Sequence, residues 1–394
     1  MANINIRFLF SITSIFELMI LILFYLILPK LTFLCLAFFI LYVILNDIIL
    51  TKSSKKIQTN TMKCGEFLAS FAKFPFQYTD TKIPRIGSKQ VLIQVHSAAL
   101  NPADYKMNFA LLPFKRWICY STIGFDVCGK IIELGNNVTE FNVGETVFGV
   151  AQSGSFAEYA VCNIHQIWKV SNEEKKEELG ASVITGVTVY QSLTWFFKEE
   201  ELKGKSILII GASGGCGSIA CQLTKALKCR KVVGICSTKN INYVSTITDV
   251  ALAYDSNDLN SKLNKEGRFD IIFDTVTSDT DGDMHKKYIQ YLSNEGKYVQ
   301  INGDMITLIK GVLASKYPCF KGLEPKNFHL HLMNFDTCQI ALKRLDELFI
   351  ENINMQVKLE RLGLNQNDLK TGFEKLQSRR TVGKIIFEIK KKNI

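Results

Sequence analysis

Residues 207–227 read ILIIGASGGCGSIACQLTKAL, and the rest of the chain is organised around them. The first four are apolar and predict a short buried strand, while apolar residues at helical spacing from Ile219 to Leu227 predict a helix. The turn between them contains four glycines, Gly211, Gly214, Gly215 and Gly217. Such a strand, glycine turn and helix predict the phosphate-binding corner of a dinucleotide fold, because glycines let a pyrophosphate approach the free amides of the helix. The alternative is a glycine-rich turn with a purely structural role.

The overall composition is that of a globular protein. With 394 residues the chain is long enough for two domains and an appendage. Its formal charge is +10, but the sequence has no dense basic run with interleaved aromatic residues. We therefore expect a solvated basic surface rather than nucleic-acid binding, with a mild attraction to anionic lipid headgroups as a second interpretation. The 11 cysteines form no CxxC pair, which favours free thiols in a reducing compartment.

The first fifty residues are strongly apolar. Residues 8–28 contain fifteen Leu, Ile and Phe, which favour membrane insertion by roughly 7 kcal/mol against a cost of about 3 kcal/mol for Glu17. A second run, residues 31–45, is shorter than the ~20 residues that span a bilayer. We expect an N-terminal transmembrane helical segment with one or two spans. A buried soluble hairpin is the alternative.

Basic residues flank this apolar region, with Arg7 before it and Lys52, Lys55 and Lys56 after it. In a hairpin all four lie on one side of the membrane, and the positive-inside rule places that side in the cytosol. The sequence thus predicts a membrane protein whose remaining chain, the body of the protein, faces the cytosol. The endoplasmic reticulum is the expected membrane, and the mitochondrion is the alternative.

The chain after the apolar region shows two successive patterns of predicted secondary structure. Between residues 91 and 161, short strands at spacings of 8 to 12 residues indicate a β-rich domain. After Lys175, helices alternate with strands such as residues 231–236 and 269–273, which indicates a parallel sheet covered on both faces.

Several stretches together resemble one family. They include VLIQVHSAALNPADYK (residues 91–106), IGFDVCGKIIELG (123–135) and RRTVGKIIFEI (379–389), in addition to the glycine turn. In this order they resemble the medium-chain dehydrogenase/reductase superfamily, in its zinc-free quinone oxidoreductase branch. The resemblance implies an α/β fold: a GroES-like β-rich domain plus a Rossmann doubly wound parallel sheet. The expected boundaries are 1–56 for the membrane anchor and linker, 57–178 for the GroES-like domain, 179–334 for the Rossmann domain and 335–394 for the return to the GroES-like domain.

The resemblance also identifies what this chain lacks. Zinc-dependent alcohol dehydrogenases of the superfamily hold a catalytic metal with a cysteine and a histidine, and the matching positions here are Asn101 and Phe125. Phenylalanine cannot ligate zinc, and an amide is a poor ligand for it. We therefore predict no metal, and a zinc alcohol dehydrogenase remains only as a disfavoured alternative.

The second strand of the dinucleotide fold indicates the cofactor. NAD-binding folds place a carboxylate about 20 residues after the glycine turn to bind the ribose 2′-hydroxyl. Here the sequence has Ser237, Thr238 and Lys239, which are suited to hold a 2′-phosphate. We predict NADPH rather than NADH, with a solvent-facing loop lysine as the alternative.

Further cofactor contacts follow from the glycine turn and the resemblance. The turn residues expected to contact the pyrophosphate are Gly211, Ser213, Gly214, Gly215, Cys216 and Gly217. By the resemblance, Thr185 and Thr188 contact the nicotinamide half of the cofactor. Asn302 and Gly303, at the end of a predicted strand, form the nicotinamide wall.

The implied reaction is hydride transfer from NADPH to a quinone or an α,β-unsaturated carbonyl compound. Donors that stabilise the developing oxygen charge are expected in the NPADYK loop: Asn101, Tyr105 and Lys106. Each has a structural alternative, and bulk water is another proton source. The competing hypothesis is an NADPH-binding membrane tether or scaffold with little turnover. A homodimer is an open alternative, since relatives are often dimers.

Overall fold

The computed structural model describes residues 61–67, 76–105, 122–277, 284–303, 327–352 and 354–389. These residues form two six-stranded sheets and one two-stranded sheet. The strands are numbered β1 to β14 and the helices α1 to α9 in chain order.

The first six-stranded sheet has the order β13-β14-β3-β4-β5-β6. Strand β3 also pairs with β6, so β3, β4, β5 and β6 close into a ring of antiparallel strands. Its strands are β3 (Gln90–Ala99), β4 (Asp126–Leu134), β5 (Thr146–Ala151), β6 (Tyr159–Lys169), β13 (Leu359–Gly363) and β14 (Lys384–Glu388). Alternate residues of β3, such as Val91, Ile93 and Val95, are buried inside the ring. A two-stranded antiparallel ladder, β1 (Thr61–Phe67) and β2 (Phe76–Lys82), lies beside it.

The second six-stranded sheet is wholly parallel, with the order β12-β11-β10-β7-β8-β9. Its strands are β7 (Ser206–Ile210), β8 (Lys231–Cys236), β9 (Val250–Ala253), β10 (Phe269–Asp274), β11 (Leu292–Gln300) and β12 (Phe328–Leu330). All five residues of β7 are buried, as expected for a central strand covered on both faces.

Nine α-helices connect and cover these sheets in the described part of the chain. They are α1 (Lys176–Ala181), α2 (Val183–Thr194), α3 (Glu199–Leu202), α4 (Gly215–Ala226), α5 (Ile241–Ile247), α6 (Leu259–Glu266), α7 (Met284–Tyr288), α8 (Cys338–Glu351) and α9 (Gln366–Gln377). The predicted GroES-like domain with a Rossmann sheet is thereby confirmed.

One apolar core joins the two sheets. Ala99 and Phe148, from the antiparallel sheet, belong to the same buried cluster as Ile209 of β7. Helices α2 and α8 contribute to this cluster as well, and Leu345 of α8 packs so closely on Gly186 of α2 that a Cβ there would lie 2.8 Å from the leucine Cδ1. The two sheets are thus packed together through a continuous apolar core.

The transmembrane part of the predicted architecture is wrong. The apolar runs that suggested it, residues 8–28 and 31–45, lie outside the described residues. Within the part of the chain that is described, no helix is both long and apolar enough to cross a bilayer. The longest, α8, has 14 residues and therefore a length of about 21 Å, short of the ~30 Å hydrocarbon core. On this finding the predicted transmembrane segment and the membrane localisation inferred from it are corrected.

Eight cysteines lie in the described residues, and all eight are free thiols. Six of them are buried, and Cys216 and Cys229 are half-buried. Burial raises the pKa of every one, for example to about 12 for Cys64 and about 11 for Cys236. These thiols therefore pack as small apolar side chains in their protonated form.

Candidate functional site

The glycine turn after β7 is closely packed. Gly211 has a φ of +84°, and a Cβ there would lie 2.5 Å from Thr275 Oγ1. A Cβ on Gly217 would lie 2.1 Å from the carbonyl oxygen of Gly211. These positions accept only glycine, because the chain turns sharply and helix α4 approaches the end of β7 directly.

Gly214, in contrast, faces open space. Its ideal Cβ would meet only the Gly211 carbonyl oxygen, at an ordinary 3.4 Å. Gly214 is the N-cap of α4, no side chain caps this helix, and its first turn contains no acidic residue. The helix therefore presents uncapped N–H groups and the positive end of its dipole beside an open surface, which suits a pyrophosphate.

Strand β14 and helix α2 reach the same turn. The backbone N–H of Gly383 donates to the carbonyl oxygen of Ser213 at 2.9 Å. A Cβ on Gly215 would lie 3.0 Å from Cδ of Lys384 and 3.7 Å from Cγ2 of Thr185. The structure thus brings Thr185, one of the predicted nicotinamide contacts, next to the turn.

The other predicted residues of the turn and of α2 are placed as follows. Thr188 is buried on α2, and its carbonyl oxygen accepts the hydroxyl of Ser192 at 2.6 Å. Cys216 lies in the first turn of α4, and burial raises the pKa of its thiol to about 11. At the carboxyl end of β11, the half-buried Asn302 accepts a hydrogen bond from Gln300 through its carbonyl oxygen, and Gly303 follows it.

The loop after β8 is attached to the glycine turn. Asn240 Nδ2 donates to Ser213 Oγ at 3.0 Å. Ser237 is buried, whereas Thr238 and Lys239 are exposed. This arrangement places the three residues predicted to hold a 2′-phosphate beside the turn predicted to hold the pyrophosphate.

The NPADYK loop has a buried centre. Asn101 is 1% exposed, its Oδ1 accepts a hydrogen bond from Lys384 Nζ at 2.6 Å, and its Nδ2 donates to the Ala99 carbonyl at 3.3 Å. Asp104 is fully buried and accepts the backbone N–H of Asn101 at 2.6 Å, and burial raises its pKa well above the usual value. Lys106 lies outside the described residues.

Tyr105 stands at the edge of the same loop and is half-buried. Burial raises the pKa of its phenol, and the positive charge of Arg379 opposes that shift. Arg379 itself has a φ of +59°, and its Nη2 donates to the carbonyl oxygen of Val276 at 2.8 Å. Arg379 is therefore bonded to the segment that follows β10 and lies near enough to Tyr105 for its charge to act on the phenol.

Two buried charges that the sequence reasoning missed hold this region together. Lys384 Nζ lies 3.4 Å from Oδ2 of Asp126, and Oδ1 of Asp126 accepts the backbone N–H of Ile184 at 2.9 Å. Burial raises the pKa of Asp126, and the Lys384 ammonium opposes that shift. The only signal in the sequence is their position: Asp126 directly follows Phe125, and Lys384 opens the last strand.

Comparison with known proteins identifies the family. The alcohol dehydrogenase GroES-like domain matches residues 87–172. A trans-enoyl reductase of Aspergillus terreus is 27% identical over 320 residues, which cover 77% of this chain and 87% of the relative. A chloroplastic quinone-oxidoreductase homolog of Spinacia oleracea is 30% identical over 238 residues, which cover 57% of this chain and 70% of the relative. The chain belongs to the medium-chain dehydrogenase/reductase superfamily.

The fold of the superfamily is also seen in solved structures. The quinone oxidoreductase from Coxiella burnetii matches 84% of this chain and 100% of its own length, with a TM-score of 0.69 and 24% sequence identity. As a medium-chain dehydrogenase/reductase, this chain is an oxidoreductase that uses a nicotinamide cofactor.

Asn101 and Phe125 stand at the positions where zinc-dependent medium-chain dehydrogenase/reductase proteins have a cysteine and a histidine that bind zinc. Phe125 is half-buried and packs against the shared core. Asn101 is bonded to the Lys384 ammonium. Among the described residues, no three His, Cys, Asp or Glu side chains are grouped so that they could hold a metal ion.

Proposed function

We propose that this protein is an NADPH-dependent reductase of quinones or α,β-unsaturated carbonyl compounds that transfers a hydride without zinc. The observation that carries the proposal is the contact of 2.6 Å between Lys384 Nζ and Asn101 Oδ1. It places a buried ammonium against the position that matches a zinc-ligand cysteine in the zinc-dependent relatives. A positive charge there disfavours a second cation at the same place.

The substrate class is supported by the relatives. The Aspergillus terreus protein is a trans-enoyl reductase, and the Spinacia oleracea protein is a quinone-oxidoreductase homolog. Enoyl compounds and quinones share a carbonyl group conjugated to a carbon–carbon double bond. A site that reduces either must deliver a hydride to one carbon and a proton to another atom of the conjugated system.

The residues that would hold the cofactor fit a dinucleotide phosphate. The pyrophosphate would lie at Gly214 and Gly215 on the uncapped N-terminus of α4. The exposed ammonium of Lys239 forms no ion pair with any residue that the structure describes, so it is available to a 2′-phosphate. When bound, the dihydronicotinamide supplies the hydride.

The chain's own residues would orient the substrate and donate the proton that completes the reduction. The hydride carries two electrons to the conjugated carbon, so negative charge develops on the substrate oxygen, and a proton completes the saturated carbonyl or the quinol. Tyr105 is suited to donate to this oxygen, because it is half-buried at the edge of the NPADYK loop and its phenol is protonated at neutral pH. Lys384 would not donate directly, because its three N–H bonds already face Leu100, Asn101 and Asp126.

The proposal is tested with the purified full-length protein. Oxidation of NADPH is followed with a panel of quinones, enones and alkenals, with the corresponding saturated ketones as matched controls and NADH in parallel. We expect turnover with at least one conjugated compound and none with its saturated partner. The same rates are expected after treatment with a chelator.

Two results would overturn the proposal. Oxidation of alcohols that disappears with chelation would indicate a zinc dehydrogenase. Tight binding of NADPH with no turnover across the panel would indicate a protein that binds the cofactor without using it.

A further inference from the structure

A carboxylate that the sequence spacing does not indicate lies against the proposed 2′-phosphate loop. Asp255 Oδ1 accepts two hydrogen bonds from Thr238, one from the backbone N–H at 2.9 Å and one from the hydroxyl at 2.7 Å. Asp255 follows β9, which is parallel to β8, and the N–H of Tyr254 donates to the carbonyl oxygen of Cys236. Strand pairing therefore brings the two loops to the same edge of the sheet.

This contact lies where the adenosine ribose of a bound cofactor would be. The loop that carries Thr238 is bonded to the glycine turn through Asn240 and Ser213. With a pyrophosphate at that turn, the ribose would lie over the carboxyl end of β8. Lys239, which follows Thr238 in the chain, and Asp255, which is bonded to Thr238, are then a positive and a negative charge near the ribose, and both are exposed.

The two charges act in opposite directions on the group that distinguishes the cofactors. NADPH carries a 2′-phosphate with up to two negative charges, where NADH carries a hydroxyl. The carboxylate of Asp255 repels that phosphate. It also engages the hydroxyl hydrogen of Thr238, which is then not available to a phosphate oxygen, while the Thr238 oxygen still accepts from a ribose hydroxyl. The hydrogen bonds from Thr238 hold the pKa of Asp255 below its usual value, so this side chain is ionised at neutral pH.

We infer that Asp255 is a specificity-determining residue: it offsets part of the attraction between Lys239 and a 2′-phosphate, so the site prefers NADPH to NADH only weakly. The inference rests on the proposed function, because it requires a nicotinamide dinucleotide at the glycine turn. It predicts that the dissociation constants of the wild-type protein for NADPH and NADH differ by less than about tenfold, which corresponds to 1.4 kcal/mol.

The test is the Asp255→Asn variant of the full-length protein. Asparagine keeps an oxygen that accepts both hydrogen bonds from Thr238, so the loop is preserved while the charge is removed. Binding is measured by calorimetry for NADPH and NADH, and for the fragments 2′,5′-ADP and 5′-ADP, which report on the adenosine end alone. We expect NADPH and 2′,5′-ADP to bind about tenfold more tightly, with NADH and 5′-ADP unchanged. The gain should shrink at high salt, because both charges are exposed.

Two further variants make the result specific. Asp258→Asn removes an exposed carboxylate that lies three residues after Asp255 and pairs with Lys262, and it should change none of the four affinities. Lys239→Glu should weaken NADPH and 2′,5′-ADP strongly and leave 5′-ADP unchanged.

The alternative outcomes are distinguishable. If Asp255→Asn changes the affinities for 2′,5′-ADP and 5′-ADP alike, Asp255 only supports the loop. If Asp258→Asn changes the affinities as Asp255→Asn does, Asp255 acts only through the net charge of the protein. Either result overturns the inference. A strong preference of the wild-type protein for NADPH would also overturn it. If the wild-type protein binds neither NADPH nor NADH, the proposed function is contradicted together with this inference. If Asp255→Asn leaves the ratio of the dissociation constants for NADPH and NADH unchanged, only this inference is contradicted.

Discussion

Among single side chains, Tyr105 is the proposed proton donor, and its loss is directly testable. Tyr105→Phe removes one hydroxyl from a half-buried ring, and we expect kcat with a conjugated substrate to fall about 100-fold. The dissociation constant for NADPH should stay the same. Tyr78→Phe on β2 is the matched control. An unchanged kcat in Tyr105→Phe would assign proton delivery to bulk water or another group.

Asp104 provides a second test, based on pH. Its pKa in the folded protein is raised well above 3.8 by burial, so the folded state holds this proton more tightly than the unfolded state. The free energy of unfolding therefore falls as the pH rises from 3.8 through the raised pKa. Asp104→Asn mimics the protonated form and keeps an acceptor for the Asn101 N–H, so it should gain stability relative to wild type over that window. Denaturant unfolding at a series of pH values measures this difference; parallel curves would contradict it.

In the turn between β7 and α4, one glycine can be changed without a clash and another cannot, so cofactor binding and folding can be tested separately. A valine at Gly214 meets no close neighbour, since the only contact of its Cβ is at 3.4 Å. We expect Gly214→Val to fold, with a loss of about 1 kcal/mol at the N-cap, and to lose affinity for NADPH at least about 100-fold, because the side chain occupies the approach of the pyrophosphate.

Gly204→Val is the control for this prediction, because a Cβ at Gly204 has no neighbour within 4 Å and lies outside the turn. It should bind NADPH normally. Gly217→Val should fail to fold, since its Cβ would lie 2.1 Å from the Gly211 carbonyl oxygen. Retained NADPH binding by a folded Gly214→Val protein would refute the placement of the pyrophosphate.

For the whole molecule, the shared core predicts that the two sheets unfold together. Leu345 is fully buried in that core, so Leu345→Ala should lower the free energy of unfolding by about 2 to 5 kcal/mol. Ile340 lies on the same helix but is 66% exposed, and Ile340→Ala should have little effect. Denaturant unfolding, followed by fluorescence and by circular dichroism, should show one coincident transition. Two separated transitions would contradict a single cooperative core.

The sequence predicts the elements of this fold well because their signals are local. The spacing of apolar residues indicates both the buried strand at residues 231–236 and the helix that follows the glycine turn. The contacts of the site are not local. Asn101 and Lys384 are 283 positions apart, and Thr238 and Asp255 meet only because β8 and β9 pair. The transmembrane prediction is contradicted within the described residues, which contain no helix long and apolar enough to cross a bilayer; the hydropathy that suggested it lies in residues 8–28 and 31–45, outside that part of the chain.

The protonation of the cysteines affects how readily the proposed substrates would inactivate the protein. Quinones and conjugated carbonyls are soft electrophiles that alkylate cysteine, and the attacking form is the thiolate. Even Cys216, in the turn proposed to bind the cofactor, has its pKa raised to about 11 by burial. An enzyme with the proposed substrates would therefore meet each reactive molecule with its described thiols protonated, six of them buried and two half-buried. Resistance to covalent inactivation by its own substrates would then be built into the packing of the core.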